Sequence, residues 1–325
     1  MMNKLSMTEL ASIVKQAKKT IVLCHKNPDP DTLGSAFGLK HILEHFGSSV
    51  RVACCDRPSA KFSFITGGDT LECQDWDCER IIAVDVASPM QLGSLQFLAE
   101  KTDFIIDHHS MSTRFAPYYD EESASCAEII FSLYRFLEIS LPKNFFECIY
   151  AGMSGDTGGF RYSNVTKRSM EYGAQIIEMG IDHAEINRII FDSKTIGEVK
   201  AQKLTFEKME LFCDGSLAVI MLTNDMKAEH GIADEDISDI VNNIRSIEGV
   251  LVAISLKQSF KEPEKFSLSS RANCDIDVSK VCAMLGGGGH MRASGATVIA
   301  PDPVSAFNKC VPLFKDAVND YKARN

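Results

Sequence analysis

The sequence predicts an α/β protein of two domains. Three observations carry that expectation. The chain has 325 residues, where a single domain typically takes about 100–200. Apolar runs alternate with helical patterns through the first half. A second alternation of the same kind follows a long helical stretch that ends near residue 212.

Taken in order, MMNKLSMTELASIVKQAKK reads as an amphipathic helix, without the apolar core or cleavage site of a signal peptide. TIVLCH (20–25) reads as a buried strand. From Thr32 to Phe46 apolar residues recur at helical spacing (Leu33, Phe37, Leu39, Ile42, Leu43), and Gly47 is a natural stop. SVRVACC (49–55), RIIAVDVA (80–87) and DFIIDHH (103–109) are strand candidates. Continuous apolar strands alternating with helices predict a mainly parallel sheet covered on both faces. Segments 124–138 and 145–153 read as helices, and 167–212 as almost unbroken helix, a connector. Beyond it come LAVIMLT (217–223), a helix near 235–248, VLVAISLKQ (250–258), KFSLSSRAN (265–273), a helix at 277–285, GGGGH, a strand near ATVIA and a last helix. The expected organisation is a first domain over 1–185, a helical connector over 186–212 and a smaller α/β domain over 213–325.

Composition narrows the function. Apolar residues make up 45% and charged residues 24% of the chain, as in ordinary globular proteins. No apolar run of about 18 residues suggests a membrane span. Eleven cysteines without a CxxC pair argue for reduced thiols in a cytoplasmic setting, against a disulfide framework or zinc knuckle. A net charge of −10 argues against broad binding of long duplex nucleic acid, which needs many phosphate contacts. A short anionic substrate is compatible with it, provided that bound divalent cations supply local positive charge.

Four segments of the first domain concentrate ionisable residues: His25, Asp29 and Asp31; Asp85 in VDVAS; Asp107, His108 and His109 in DHHS; and Asp156 in GMSGDTGGF. His25, Asp85, Asp107 and His108 fall where predicted strands end, the edge at which open α/β sheets bind ligands. Carboxylate and imidazole ligands suit Mn²⁺ and Mg²⁺. Two such ions about 3.5–4 Å apart activate water and stabilise both oxygens of a phosphoryl displacement. Taken singly, each acid has a plainer reading. Asp31 serves equally well as a helix N-cap, Asp107 as a loop acid and Asp156 as a turn former. His41, His45, His183 and His230 lie within amphipathic patterns and receive no function. In the second domain, Gly286–Gly289 beside His290 suggest an anion-binding nest of backbone N–H groups. Arg271 of SLSSRAN is a further candidate contact, and Arg292 reads either as another or as a surface residue. Arg161 and Ser163 of RYSNVT are candidate substrate contacts or an exposed strand end.

HKNPDPDTLGSA, VDVAS, IIDHHSM and AGMSGDTGGF resemble, in order and spacing, the four motifs of DHH-family phosphoesterases. LGGGGHMRASG resembles the glycine-rich signature of the associated DHHA1 domain. The resemblance spans essentially the whole chain. It implies a DHH domain with a mainly parallel sheet, a DHHA1 domain, and an active site in the cleft between them. It also implies two divalent cations, with Mn²⁺ first and Mg²⁺, Fe²⁺ or Co²⁺ also compatible. His25 and Asp29 would bind one ion, Asp31, His108 and Asp156 the other, and Asp85 would bridge. His109 would meet the scissile phosphate or leaving oxygen, and Asp107 would orient His108. Pro30 would stiffen the loop, Gly34 would permit a close backbone approach, and Ser35 would cap the helix. Arg271, Gly287, Gly288, Gly289 and His290 would grip substrate, with Arg161 and Ser163 lining the cleft.

Within that family the expected reaction is hydrolysis of short single-stranded RNA, two to five nucleotides long, and of adenosine 3′,5′-bisphosphate. In-line attack of activated water on phosphorus is the expected route. A stand-alone cyclic di-AMP or pApA phosphodiesterase is the alternative, and a catalytically inactive nucleotide-binding module a third reading. No membrane partner is expected, and the chain would act as a monomer or homodimer.

Overall fold

The computed structural model describes residues 3–69, 71, 77–109, 115–120, 122–237 and 240–324. Ser110 and Met111, the end of IIDHHSM, lie outside these residues, as do two positions of the helix expected near 235–248. The chain divides into two compact units, Met1–Ser193 and Lys194–Asn325. The division falls inside the stretch read from sequence as a connector.

The first unit holds strands β1 (Lys19–Leu23), β2 (Ser49–Ala53), β3 (Arg80–Val84), β4 (Phe104–Asp107) and β5 (Tyr118–Asp120). They pair in parallel in the order β2-β1-β3-β4-β5. Helices are α1 (Met7–Val14), α2 (Pro30–His45), α3 (Ser63–Thr66), α4 (Cys126–Leu137), α5 (Lys143–Thr157), α6 (Lys167–Glu178) and α7 (His183–Asn187). One sheet face packs Val22, Val84 and Ile106 into a core shared with α1, α2, α4 and α5. The other face, Ile21, Ala83 and Ile105, is covered not by an α-helix but by a 3₁₀ segment over Pro89–Lys101. That segment is interrupted at Gly93, whose φ of 58° and ψ of −127° are non-helical. After β1 the chain passes to β2 on one side, and β3 then pairs on the other. The strand order therefore reverses between β1 and β3, and this switch point is where an open sheet leaves a crevice.

The second unit holds α8 (Ile196–Lys208), β6 (Glu210–Phe212), β7 (Leu217–Leu222), α9 (Asn224–His230), α10 (Ile240–Arg245), β8 (Val252–Gln258), β9 (Lys265–Ala272), α11 (Val278–Met284), β10 (Gly288–His290), β11 (Ala293–Ile299) and α12 (Pro303–Arg324). Its sheet runs β10-β11-β9-β8-β7-β6, with β7 and β8 parallel and the other pairs antiparallel. Alternation along β9 sends Phe266, Leu268 and Ala272 into a core with α11 and α12. Ala218, Ile220 and Ala253 face the opposite way, into a core with Ala201 and Leu204 of α8 and Ile240, Val241 and Ile244 of α10.

The stretch 167–212 is α6, α7, a π-helical turn over Arg188–Asp192, α8 and the short strand β6. Thr195 starts α8 afresh with a capping box to Glu198, so the helix does not run through. RYSNVT (161–166) is a turn and not a strand end. Helix α5 continues past residue 153 to Thr157, and it carries Asp156 on its last turn.

Helix α2 crosses α5 at backbone distance, as expected for Gly34. A Cβ built on Gly34 would stand 2.3 Å from the Cys148 carbonyl oxygen. Replacing Gly34 with Ala is therefore expected to destabilise the first unit by about 1–3 kcal/mol, the usual cost of overpacking. Urea unfolding measures this, and a midpoint unchanged from wild type would mean that the helices part without cost.

Candidate metal centre

The site forms where β1, β3 and β4 end and where α2, α4 and α5 meet. His25 follows β1 after Cys24, Asp85 follows β3, and Asp107 closes β4 ahead of His108 and His109. Thr32 ties two of these strand ends together. Its Oγ1 accepts from the His25 N–H (3.4 Å) and donates to the Val84 carbonyl (3.3 Å). Asp85 has φ of 57°, a left-handed conformation that a non-glycine residue adopts at some cost. Its N–H remains bonded to the Ile106 carbonyl at 2.9 Å, so the ladder to β4 holds the strained residue in place.

Start and end of the helices place the other acids. Asp29, and not Asp31, is the N-cap of α2, accepting from the Asp31 and Thr32 N–H groups at 2.9 and 3.0 Å. Pro30 takes the first helical position, where its missing N–H costs nothing. Asp31 is thereby freed to point across the core. Its Oδ2 accepts from Cys126 N–H (2.7 Å) and its Oδ1 from Ala127 N–H (2.9 Å), the unsatisfied donors at the start of α4. Ser35 lies within α2, buried, and donates to Asp31 Oδ1 at 3.4 Å; it caps nothing.

Three overlapping trios of ligand atoms result, one of them Asp85/His108/His109. His25 Nε2 lies 3.6 Å from Asp29 Oδ1 and 3.4 Å from Asp85 Oδ2. His108 Nε2 lies 3.3 Å from Asp156 Oδ2, 3.9 Å from Asp31 Oδ2 and 3.5 Å from Asp85 Oδ1. The other two, His25/Asp29/Asp85 and Asp31/His108/Asp156, likewise have spacings that one cation spans. Asp85 Oδ2 faces His25, and its Oδ1 faces both His108 and His109, the latter at 3.6 Å, so Asp85 stands between His25 and the two neighbouring histidines. The six residues expected as ligands are thus brought together.

Both imidazoles are oriented for this. His25 Nδ1 meets the Lys26 carbonyl at 2.8 Å and His108 Nδ1 the Ser123 carbonyl at 3.3 Å. A carbonyl only accepts, so each Nδ1 carries hydrogen and each Nε2 is the nitrogen turned to the carboxylates, available to a metal ion. Asp107 does not orient His108, as expected from sequence, but His109. Its Oδ1 accepts from His109 Nδ1 at 2.7 Å, because His108 turns toward the loop at Ser123.

The electrostatics carry the same message. Burial, then the Asp85 carboxylate, pushes Asp31 up to about 7. Burial and the charges of Asp31, Asp29 and Asp85 push Asp156 well above the carboxylate range. Burial opposes ionisation of Asp85, yet the imidazoles of His108 and His25 outweigh it and hold its carboxyl below the usual range. Burial likewise opposes protonation of His25 and His108, but the surrounding carboxylates raise both, His108 to about 10. For His109, burial is outweighed by Asp107 and Asp85, and its pKa rises. Asp85 Oδ1 is buried and has no hydrogen-bond partner. An orphaned carboxylate oxygen among nitrogen and oxygen donors, with no thiolate in any trio, fits a pair of hard or borderline divalent ions.

In the second unit, Arg271 of β9 is opposite Ala293 of β11, which is opposite His290 of β10. Directly opposed residues share a sheet face, so one row presents both candidates about 10 Å apart, two strand spacings. Gly288–His290 is an edge strand, with Gly286 before it and Gly289 within it at φ of 76° and 142°. Glycine is needed next to it for contact: a Cβ on Gly287 would stand 2.1 Å from the Gly295 carbonyl oxygen. Arg292 is exposed and paired with Asp275 at 2.7 Å. Arg161 and Ser163 are exposed; the Arg161 guanidinium lies 5.4 Å from the Phe191 ring. Sequence reasoning missed the carbonyls of Lys26 and Ser123 and the N–H groups of Cys126 and Ala127, which no side-chain pattern reveals.

The signs of these shifts define a test. Asp31 ionises ordinarily at 3.8 and in the fold at about 7, so across that interval unfolding releases a proton and rising pH lowers stability. His108 acts in the same sense between 6.5 and about 10. Metal-free protein is expected to melt lower at about pH 9 than at about pH 6, and Mn²⁺, which binds the deprotonated ligands, to raise the melting point most at the higher pH. Melting unaffected by Mn²⁺ at both pH values would contradict the metal centre.

A family profile described as "DHH family, N-terminal domain" matches residues 19–153, and one described as "DHHA1 domain" matches 214–320. The chain is similar to the bifunctional oligoribonuclease and PAP phosphatase NrnA of Bacillus subtilis, 24% identical over 300 residues, covering 91% of this chain and 94% of that protein. It is 28% identical over 287 residues to the probable bifunctional oligoribonuclease and PAP phosphatase NrnA of Streptococcus mutans, covering 87% of this chain and 90% of that protein. Among solved structures, an exopolyphosphatase-related protein from Bacteroides fragilis superposes with a TM-score of 0.86 at 22% identity, covering 98% of this chain and 96% of that one. RecJ from Thermus thermophilus, solved in complex with Mn²⁺, superposes with a TM-score of 0.52 at 14% identity, covering 98% of this chain and 55% of that one. With both domains in this order and over this extent, the chain belongs to the DHH/DHHA1 family of phosphoesterases.

Proposed function

We propose that this chain hydrolyses short oligoribonucleotides to mononucleotides and removes the 3′-phosphate of adenosine 3′,5′-bisphosphate. The observation that carries the reading is Asp85, strained and buried, with Oδ2 toward His25 and Oδ1 toward His108 and His109. The names of the relatives from Bacillus subtilis and Streptococcus mutans supply the substrate class.

His25 and Asp29 with Asp85 would hold one cation, and Asp31, His108 and Asp156 with Asp85 the other. A divalent pair, Mn²⁺ first among Mn²⁺, Mg²⁺ and Co²⁺, supplies charge neutralisation and water activation. His109, whose pKa Asp107 and Asp85 raise against the effect of burial, would meet the phosphate or the leaving oxygen. In the second unit, Arg271, His290 and the edge backbone of Gly288 and Gly289 are candidate contacts for an anionic substrate; Gly287 shapes this edge, its N–H being bonded to the Cys282 carbonyl at 2.8 Å. Arg161 and Ser163 are further contacts from the first unit. Broad contact with long duplexes remains disfavoured by the net charge of −10.

Replacing Asp85 with Ala is expected to reduce turnover below detection, since both cation sites lose a ligand; a variant with wild-type kcat sinks the bridging role. Replacing Arg271 with Ala is expected to raise KM with kcat little changed, the mark of binding that is equal in ground and transition states. The substrate assignment is tested by comparing kcat/KM for a 5-mer RNA, pApA, adenosine 3′,5′-bisphosphate and cyclic di-AMP in Mn²⁺. Turnover of RNA and bisphosphate with cyclic di-AMP intact supports the proposal, whereas preferential opening of cyclic di-AMP overturns it.

A further inference from the structure

Asp156 is followed by Thr157-Gly158-Gly159-Phe160, a turn with an unusual backbone. Gly158, Gly159 and Phe160 have φ of 60°, 69° and 61°, three left-handed residues in succession. The Thr157 side chain organises it. Oγ1 accepts from the Phe160 N–H (3.0 Å) and donates to the Met153 carbonyl (2.6 Å), and the Thr157 carbonyl accepts from the Arg161 and Tyr162 N–H groups at 2.9 and 3.0 Å. The Tyr162 ring then folds back onto Gly158, where a Cβ would meet it at 2.3 Å, so only glycine fits there. The chain has turned back on itself by the time it reaches Asn164.

The Asn164 side chain spends its one NH₂ group on two main-chain oxygens. Nδ2 donates to the Asp156 carbonyl at 3.1 Å and to the Ala124 carbonyl at 3.0 Å. Both partners can only accept, so the amide orientation is set by its surroundings. Each of these oxygens belongs to a segment that serves the same trio. Asp156 is itself one of its ligands, at the C-terminal end of α5, where helix carbonyls lack intrahelical partners. Ala124 adjoins Ser123, whose carbonyl orients His108. One neutral side chain therefore joins the two segments that carry Asp156 and aim His108. Arg168 anchors the same loop one step earlier, through Nη2 to the Glu122 carbonyl (2.9 Å), and its Nε binds the buried Glu128 carboxylate at 2.6 Å.

We propose that Asn164 is a positioning residue for the Asp31/His108/Asp156 cation site, setting the separation of Asp156 and His108 by tying the Asp156 and Ala124 carbonyls together. This rests on the two-cation reading proposed above. The TGG sequence after Asp156 then has a reason: it is the tight reversal that returns Asn164 to the helix end it left. The trio His25/Asp29/Asp85 has no hydrogen bond to Asn164 among those described, so the effect of losing it is confined to one of two sites.

The test is titration of Mn²⁺ into metal-free protein, followed by calorimetry and by the EPR signal of a spin-coupled Mn²⁺ pair. Wild type is expected to take up two ions. Asn164→Ala is expected to keep one at wild-type affinity and to bind the second about 10–100-fold more weakly, the usual loss when a group that orients a ligand is removed. The coupled signal gives way to that of a single ion at the same Mn²⁺ concentration. Because Arg168 still holds the loop, the melting temperature of metal-free Asn164→Ala is expected to match wild type. Asn164→Asp keeps the shape but turns an acceptor toward two carbonyls, and is expected to lose the second ion at least as severely. Unchanged uptake of two ions by either variant overturns the proposal. So does equal weakening of both sites with a lowered metal-free melting temperature, which would make Asn164 a residue of the fold alone. Wild type taking up fewer than two ions overturns the cation-pair reading itself, an outcome separate from the other two.

Discussion

Four carboxylates, Asp29, Asp31, Asp85 and Asp156, converge on the Nε2 atoms of His25 and His108, and their mutual repulsion is the constraint around which the first unit is built. Buried like charges are costly unless something compensates them. The protein supplies part of the compensation from its backbone. The N–H groups that open α2 and α4 face Asp29 and Asp31, where helix dipoles favour negative charge. The imidazoles supply another part, held by carbonyls so that their coordinating nitrogens face inward. Asp85 Oδ1 is left without a hydrogen-bond partner. That oxygen lies 3.5 and 3.6 Å from His108 and His109, within a group of acids and imidazoles suitable for a metal ion.

Holding such a cluster together requires rigid elements at close range. The parallel strands deliver His25, Asp85 and Asp107 to one edge, because every strand of the sheet points the same way. The reversal of strand order between β1 and β3 opens space between their ends. Helices α2 and α5 then approach through glycine on both sides. A Cβ at Gly34 would strike the α5 backbone, and one at Gly152 would come within 2.9 Å of Asp31 Oδ1. Small residues thus set the distance at which Asp31 and Asp156 meet a common histidine. Larger ones would part the helices and open the trio.

The second unit solves a different problem with a different sheet. Its strand register, and not strand ends, brings Arg271 and His290 into one row across β9, β11 and β10. The glycines beside His290 let the edge strand lie against β11, a contact that side chains would block. The result is one row across three strands, with the Arg271 guanidinium at one end, Ala293 in the middle and the His290 imidazole at the other end.

The sequence by itself determined the α/β class, the strands that end at His25, Asp85 and Asp107, and the six acids and imidazoles that the fold brings together. Strand ends marked by His25, Asp85 and Asp107 are visible as acids and imidazoles that break continuous apolar runs, and the motif spacing carried the family. What it could not reveal depends on which way a side chain turns after the chain has folded. Asp29 and Asp31 are two residues apart, and only the entry of α2 decides that the first caps its own helix while the second crosses to α4. Asp107 precedes both histidines, and only the turn of His108 toward Ser123 assigns it to His109. Four glycines in a row read as a turning loop, yet Gly288 and Gly289 pair with β11 as an edge strand, where a Cβ at Gly289 would stand 2.7 Å from the Ala293 carbonyl oxygen. The backbone carbonyls and N–H groups that orient the ligands are identical at every position of a sequence, so their roles were decided by tertiary structure alone.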